Sequence, residues 1–462
     1  MVKKGKGARS VAHDVLVELD RSEGMADELL ERAQGRAGLD ERDRALALEL
    51  TYGVLRRQAT LDWRLNLVAS RTMKRLTAQA RAALRLGAYQ LLYLDRIPAS
   101  AAVDESVKLV KHARPLAGST VPGFVNAVLR SLMRQPAPAW PDPVANPLVA
   151  LSTKYSCPSW LVERWMARYG LGKTEDLCQA TLAIPPLTLR ANTLKINREE
   201  LVRELDRAGY GAHPTEVSDV GVVLEKCGRV TELPQFQKGL CYVEDEAAQL
   251  IPQLLAPEPG ERILDACAAP GGKATHLAAL MQNRGEIVAM DRSAKRLHLL
   301  QDNCQRLGVS IIKAVAGDLT AMDHAQADRL LCGRRFDAVL VDAPCSGLGV
   351  VKRHPEAKWQ KTAAEVDRQQ ARQLALLHEV SALLRPGGRL VYSTCSTEPE
   401  ENEQVIEKFC RNHNEFRRER VDPWVPDRGL DFLTSRGDLS TLSGLQSMDA
   451  FYACRLRKAD GE

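Results

Sequence analysis

Two of the eleven cysteines lie in short polar segments, Asp342-Ala343-Pro344-Cys345-Ser346-Gly347 and Ser393-Thr394-Cys395-Ser396. Each segment follows an apolar run with the composition of a β-strand. A lone cysteine is most often a small buried hydrophobe, and the other nine read that way, Cys267 included. Polar positions at strand ends are poor places to hide a hydrophobe, so Cys345 and Cys395 read as reactive. If the two strands are neighbours, both thiols and the Asp342 carboxylate converge at one sheet edge. Carbon 5 of cytosine is too weak a nucleophile to take a methyl group directly. A thiolate that adds to carbon 6 makes carbon 5 enamine-like and able to attack a methyl donor, after which loss of the carbon 5 proton and elimination free the thiol. In this chemistry Asp342 would hydrogen-bond the ring nitrogen and amino group, and Lys273 would orient the base or balance charge. The base must be single-stranded or flipped out of its stack. Spacing alone leaves open which cysteine attacks.

A methyl donor needs a pocket, and open parallel sheets place ligands at the carboxyl ends of strands where strand order reverses. The run Asp265-Ala266-Cys267-Ala268-Ala269-Pro270-Gly271-Gly272-Lys273 follows a strand-like segment and precedes a helical one. Its small side chains and two glycines allow close approach to the backbone. It is neither GxGxxG nor a GxxxxGK[ST] phosphate loop, which favours a compact adenosyl ligand over a nucleoside triphosphate. Asp291 ends the next strand-like run and could accept hydrogen bonds from both ribose hydroxyls. Asp318, after a third, could contact the adenine amino group. Each aspartate alone reads as a helix N-cap; three at successive strand ends beside a glycine loop favour the ligand.

The elements that must hold these residues show in the periodicity. From Arg262 onward strand candidates (Arg262–Ala266, Glu286–Met290, Ile311–Ala316, Phe336–Val341, Arg389–Ser393) alternate with helical runs (Ala274–Met281, Ala294–Leu307, Ala363–Leu384). That rhythm predicts a doubly wound parallel sheet, with a helix near Glu401–Arg411 and a closing strand at Phe451–Arg457. The N-terminal part is helical: a helix capped by Ser10, then Arg44–Arg57, Thr77–Leu94, Ser100–His112 and Gly123–Met133, broken at Gly35, Gly38, Pro98 and the Pro115/Gly118 stretch. The five prolines of Gln135–Pro147 predict an extended linker. A helix at Ser159–Tyr169, a strand at Leu187–Ala191, a helix at Arg198–Ala208 and a strand near Val220–Leu224 form a small mixed α/β unit.

Residues 1–140 hold 23 Lys and Arg against 15 Asp and Glu, and so carry the excess behind the net charge of +5. A polyanion such as RNA suits that part, as does a solvated helical surface. With no CxxC pair and no Cys/His zinc spacing, no metal is expected. The basic start (Lys3, Lys4, Lys6, Arg9) lacks the apolar core of a signal peptide, and no stretch is long enough to span a membrane. A cytoplasmic setting with reduced cysteines is expected.

DACAAPGGK, DAPCSG and STCS together resemble the motifs of the RNA 5-methylcytosine methyltransferases. Val243–Gln249 is similar to that family's "QDEA" lead-in, with Glu244 in place of the usual glutamine, and Arg353–Trp359 to its "RHPDIKW" loop. Phe124–Arg130 resembles a segment of the helical NusB-like domain of the bacterial 16S ribosomal RNA members, the RsmB type. The resemblance implies a NusB-like RNA-binding domain over 1–138, a small RNA-recognition-like α/β domain over 148–240, and a Rossmann-like methyltransferase domain over 241–462. It implies Cys395 as nucleophile and Cys345 as the cysteine that assists release. Cys267, Ala268, Ala269, Pro270, Gly271, Gly272 and Lys273, with Asp291, Asp318 and Asp342, resemble the S-adenosylmethionine site. The implied partner is 16S ribosomal RNA, with the protein a monomer. Arg190-Ala191-Asn192 also resembles a family segment, which raises an RNA contact there. Asp449-Ala450-Phe451-Tyr452 departs from the usual "DGFF", with little expected effect on chemistry. The competing readings are methylation of a tRNA or 23S ribosomal RNA, a DNA cytosine methyltransferase, and a non-catalytic RNA-binding factor of antitermination type. A DNA enzyme would use Cys345 as nucleophile and carry a target-recognition domain. An amino-methylating enzyme is disfavoured by the lack of a (D/N)PPY-like motif.

Overall fold

The computed structural model describes residues 7–111, 119–322, 326, 333–442 and 448–461. Lys3, Lys4 and Lys6, His112 at the end of an expected helix, and the Pro115/Gly118 break lie outside these residues. The chain packs as two compact units, residues 1–184 with 351–360, and residues 185–350 with 361–462.

The first unit is helical. Helices Ala8–Leu19, Ala26–Ala37, Glu41–Arg56, Gln58–Asn66, Ala78–Tyr93, Ala99–Lys111 and Val121–Arg134 enclose one apolar core, to which Val11, Val15, Leu50, Leu61, Leu84 and Leu129 contribute. The first helix starts two residues before Ser10, with Gly7 preceding it and no side-chain cap. Ala8 is already buried in the core, so packing rather than a hydroxyl sets that end, and the expected Ser10 cap does not form. Residues 136–146 carry neither helix nor strand, and Trp140 stacks on Trp63 at 5.1 Å. Pro147 belongs to the next element: it opens the helix Pro147–Lys154, whose N-terminus Asn146 caps. The helix expected to end at Tyr169 runs from Ser159 to Ala180, interrupted where Gly170 takes φ +73°.

Residues 351–360 complete this unit. Glu356 accepts a hydrogen bond from the Ala26 amide at 3.0 Å, at a helix N-terminus that has no local side-chain cap. The Trp359 indole donates to the Leu55 carbonyl at 2.7 Å and the Lys358 ammonium to the Arg56 carbonyl at 3.2 Å. These carbonyls sit in the last turn of Glu41–Arg56, where helices leave acceptors unpaired. The segment thus caps one helix at its start and another at its end.

The second unit holds two sheets. In the smaller, β1 (Leu187–Ala191), β2 (Ala212–Pro214), β3 (Gly221–Leu224) and β4 (Cys241–Val243) run in the antiparallel order β2-β3-β1-β4. The helix Arg198–Arg207 contributes Leu201 and Leu205 to the core on this sheet.

The larger sheet contains β5 (Arg262–Asp265), β6 (Glu286–Asp291), β7 (Ile312–Ala316), β8 (Phe336–Asp342), β9 (Leu384–Thr394), β10 (Phe416–Glu419), β11 (Leu439–Ser440) and β12 (Tyr452–Lys458). Its order is β10-β12-β9-β8-β5-β6-β7, with β11 on β12. The five strands β5 to β9 are parallel; β12 and β10 extend the edge antiparallel. The sheet is therefore mixed rather than wholly parallel. Alternate side chains fill two cores, as strands covered on both faces require. Leu264, Val288, Val339 and Leu390 face one core with the helices Ala363–Leu383 and Glu403–Asn412. Ile263, Ile287, Leu340 and Val391 face the other with Glu246–Leu254 and Gly272–Leu280. Strand order reverses between β5 and β8, which places the ligand crevice at their carboxyl ends. Among the described residues no helix is long and apolar enough to cross a membrane.

Candidate active site

The crevice is a cavity of about 200 Å³ lined by the loop after β5, the end of β8 and the end of β4. Cys267, Ala268, Ala269, Pro270, Gly272 and Lys273 line it together with Asp265, Asp342, Tyr242, Val243 and Glu244. The start of the loop is held by two strands: Ala266 N–H donates to the Leu340 carbonyl and Ala268 N–H to that of Met290, both at 2.9 Å. Gly271 takes φ +106°, in the left-handed region that suits glycine. A Cβ on Gly272 would stand 2.7 Å from a Glu244 carboxylate oxygen and 3.1 Å from the Tyr242 ring. The two glycines therefore have different reasons, backbone conformation at one and close approach at the other.

Behind the loop, Arg190 is almost fully buried. It donates to Glu244 at 2.6 Å, to the Gly272 carbonyl at 2.6 Å and to the Thr275 hydroxyl at 2.9 Å. Asn192 is also buried and donates to the Gly239 and Leu307 carbonyls. Neither side chain is available to an RNA, so the contact raised for this segment gives way to a supporting role. Glu244, which stands where the family lead-in has glutamine, supplies the charge that Arg190 needs when buried.

Asp291 accepts from Ser293 N–H at 2.8 Å and Ala269 N–H at 3.3 Å, linking the end of β6 to the glycine loop. It is not among the cavity-lining residues, and neither is Asp318. Asp318 accepts from the Thr320 amide at 3.1 Å and hydroxyl at 2.6 Å, capping the short turn Leu319–Ala321. Those Thr320 bonds, which outweigh its partial burial, hold its carboxyl below the usual range. Asp265, at the end of β5, has neither carboxylate oxygen in a well-formed hydrogen bond. Burial, then the Asp342 charge, pushes it up to about 7, while Lys273 opposes both.

Adjacent in-register strands bring the two cysteine segments together. Asp342 of β8 pairs with Ser393 of β9, and each cysteine follows within three residues. The Cys345 and Cys395 sulfurs lie 3.3 Å apart, and both residues are partly exposed. Lys273 reaches from the first turn of its helix to Asp342 at 2.7 Å, beneath the Phe451 ring. The other Asp342 oxygen accepts from the Ser393 hydroxyl at 2.8 Å. Burial works against charge on Lys273, but the Asp342 carboxylate, then Glu244 and Cys395, hold its ammonium above the ordinary lysine value. The hydrogen bond to Cys395, then burial, and the nearby Glu401 charge, push the Cys345 thiol well up. The two sulfurs have different charged surroundings: Lys273 interacts electrostatically with Cys395, and Glu401 with Cys345.

Glu401 was not legible as a site residue. It lies in a 3-10 turn of the acid-rich run Glu398–Glu403 yet is fully buried. It accepts from the Ser346 amide at 2.7 Å and from the hydroxyls of Ser346 and Ser396. Gln373 adds a bond at 3.3 Å. Ser393 and Phe451 complete the set that single-residue chemistry does not reveal.

Three comparisons bear on this arrangement. The 16S rRNA methyltransferase RsmB/F family matches residues 252–457, the NusB family residues 6–134, and the ferredoxin-like domain of RsmF/B-like methyltransferases residues 157–231. The chain is 34% identical over 456 residues to the probable ribosomal RNA small subunit methyltransferase B of Bacillus subtilis (strain 168), covering 98% of this chain and 99% of that one. It is 37% identical over 453 residues to the protein of the same name from Synechocystis sp. (strain ATCC 27184 / PCC 6803 / Kazusa), with the same coverage. The crystal structure of PH0851 matches with a TM-score of 0.81 and 27% identity, over 98% of this chain and 99% of that one.

Proposed function

The chain belongs to the RsmB/F family of 16S ribosomal RNA methyltransferases, and from that premise we propose that it methylates carbon 5 of one cytosine of 16S ribosomal RNA through a covalent bond from Cys395. The observation that carries this reading is the pair of thiols 3.3 Å apart, together with the partly buried Lys273–Asp342 ion pair.

The cavity fits S-adenosylmethionine. That ligand bears two positive centres, and Asp265 presents a buried carboxyl that has no well-formed hydrogen bond. The loop Cys267–Lys273 would lie against the ligand through its backbone; Asp291 and Asp318, outside the lining of this cavity, would meet the ribose and the adenine amino group only where the ligand extends past it. Bound there, the cofactor would supply an electrophilic methyl group and leave as the neutral thioether once that methyl is given up.

The chain's own residues do the rest. Cys395 supplies the nucleophilic sulfur, with the Lys273 ammonium within its electrostatic reach. The Cys395 sulfur bonds to carbon 6 of the base, and the carbon 5–carbon 6 π electrons move to carbon 5, where the new carbon–methyl bond forms. Asp342 hydrogen-bonds the ring nitrogen and amino group of the base, with Lys273 and Ser393 fixing its carboxylate. A general base takes the carbon 5 proton, its bonding pair re-forms the carbon 5–carbon 6 double bond, and the carbon 6–sulfur bond breaks to release thiolate. Cys345, whose sulfur lies 3.3 Å from that of Cys395, assists that release. A base in a stacked helix is out of reach of both thiols, so the target must be flipped or single-stranded.

The decisive experiment incubates 16S ribosomal RNA with wild type and two variants. Cys395→Ser should form no 5-methylcytosine by bisulfite sequencing. Cys345→Ser should leave a protein–RNA complex that survives denaturing electrophoresis. If Cys395→Ser traps RNA while Cys345→Ser turns over normally, the two roles are reversed. If wild type modifies only tRNA or 23S ribosomal RNA, the substrate assignment fails.

A further inference from the structure

Both cysteine loops converge on one buried side chain that touches neither sulfur. Ser346, next to Cys345, donates to Glu401 through its amide and its hydroxyl; Ser396, next to Cys395, donates through its hydroxyl. Gln373 donates to the same carboxylate and also to the Pro344 carbonyl, immediately before Cys345. Around this hub, the Tyr392 hydroxyl donates to the Glu401 carbonyl at 2.6 Å, and Asn402 donates to the Ser396 carbonyl at 3.0 Å. All four side-chain contacts of Glu401 are donors. An ionised carboxylate, which only accepts, satisfies every one of them; burial pushes the Glu401 carboxyl up, and these same bonds oppose that push.

From this geometry we propose that Glu401 is the positioning residue of the two-cysteine site, a single carboxylate that fixes the loops after β8 and β9 against each other and sets Cys345 beside Cys395. The proposal rests on the two-cysteine reading above and adds a residue that acts through Ser346 and Ser396 rather than on the substrate. Its charge has a second effect. A negative group near Cys345 disfavours thiolate there. The titratable groups that act on Cys345 are Cys395 and Glu401, and the buried Tyr392 phenol lies within their field. The same side chain therefore serves as a brace and as a source of asymmetry.

The test needs neither RNA nor cofactor. Iodoacetamide labelling of the full-length protein, followed by peptide mass spectrometry, gives the alkylation rates of Cys345 and Cys395 separately as a function of pH. In Glu401→Gln, which keeps size but not charge, the Cys345 profile should move to lower pH. Its rate at pH 7.5 should rise about tenfold for each unit of that shift, with Cys395 changing much less. In Glu401→Asp, which keeps charge but shortens reach, Cys345 should stay slow while methylation turnover falls at unchanged KM for RNA. Equal acceleration of both thiols in Glu401→Gln, or unchanged rates for both, overturns the proposal. If Glu401→Gln does not fold, Ser346→Ala and Ser396→Ala each remove part of the hub; wild-type turnover in both would overturn it equally. Wild-type protein that labels as expected but never methylates cytosine would defeat the catalytic reading and leave the brace standing.

Discussion

Asp265 is the residue whose surroundings least suit it. Its carboxyl ends β5 with no well-formed hydrogen bond, and Lys273 only partly offsets the burial and the neighbouring negative charge. Its folded value of about 7 lies above the ordinary 3.8, so between these values the folded state binds the extra proton. Stability contributed by this group is therefore present below about pH 4 and is lost as pH rises to about 7, at ~1.4 kcal/mol per unit. Asp265→Asn should flatten the pH dependence of urea unfolding over that window and stabilise the cofactor-free protein at pH 8. It should also weaken S-adenosylmethionine binding by calorimetry. A variant that binds the cofactor as tightly as wild type would remove Asp265 from the pocket's cation-binding role. At this scale the sequence was informative where chemistry sits on consecutive residues: the glycine loop and both cysteine segments carry their own composition. Glu401 was hidden because four glutamates within residues 398–403 have the composition of a solvated surface, and its partners lie up to 55 positions away.

At the scale of elements, the loop after β8 is fixed by backbone. Gly349 N–H donates to the Cys395 carbonyl at 2.9 Å, and Ala450 N–H donates to the Gly349 carbonyl at 3.0 Å. A Cβ on Gly349 would stand 2.1 Å from the Ala450 carbonyl oxygen and 2.8 Å from that of Cys395. Both obstacles are main chain, so neither can turn aside. Gly349→Ala should cost about 2–4 kcal/mol of stability in chemical denaturation. Its methylation rate should fall further than the unfolded fraction explains, because the strain reaches Cys395 directly. Ala450, where the family has glycine, accommodates its methyl with the residue almost wholly buried, so the expectation of little chemical consequence has a packing basis. Strands with alternating burial and helices with an apolar stripe were legible, and Ala294–Leu307 and Leu187–Ala191 match residue for residue. The helix Ala26–Ala37 was not. Its N-terminal cap is Glu356, 330 positions away, and no local residue marks its start. The antiparallel β10 and β11 were also missed, since four and two residues are too short for alternation to show.

At the scale of the molecule, residues 351–360 leave the methyltransferase sequence and finish the helical unit. Removing them uncaps the helix Ala26–Ala37 and the carbonyls of Leu55 and Arg56. Helix caps contribute roughly 0.5–2 kcal/mol each, and the Trp359 ring adds its packing against the apolar core. A fragment of residues 1–184 should therefore melt below the same fragment mixed with a saturating synthetic peptide of residues 349–361. A peptide carrying Glu356→Ala and Trp359→Ala should give no such rise. Identical melting curves with and without the native peptide would show that the segment is a passenger. The RHPEAKW motif was legible as a family feature but not as a structural one, because the groups it caps lie 302 to 330 positions away.

That crossing also sets an order of events in time. Domains ordinarily fold one after another from the N-terminus as they leave the ribosome, but here the first unit lacks a part until residue 360 has been made. At about 5–20 residues per second, the 185–350 stretch alone delays completion by roughly 10–30 s. Over that interval the nascent helical unit waits with one helix start and one helix end unsealed, and the last pieces of its surface arrive on the strand that has just laid down Cys345.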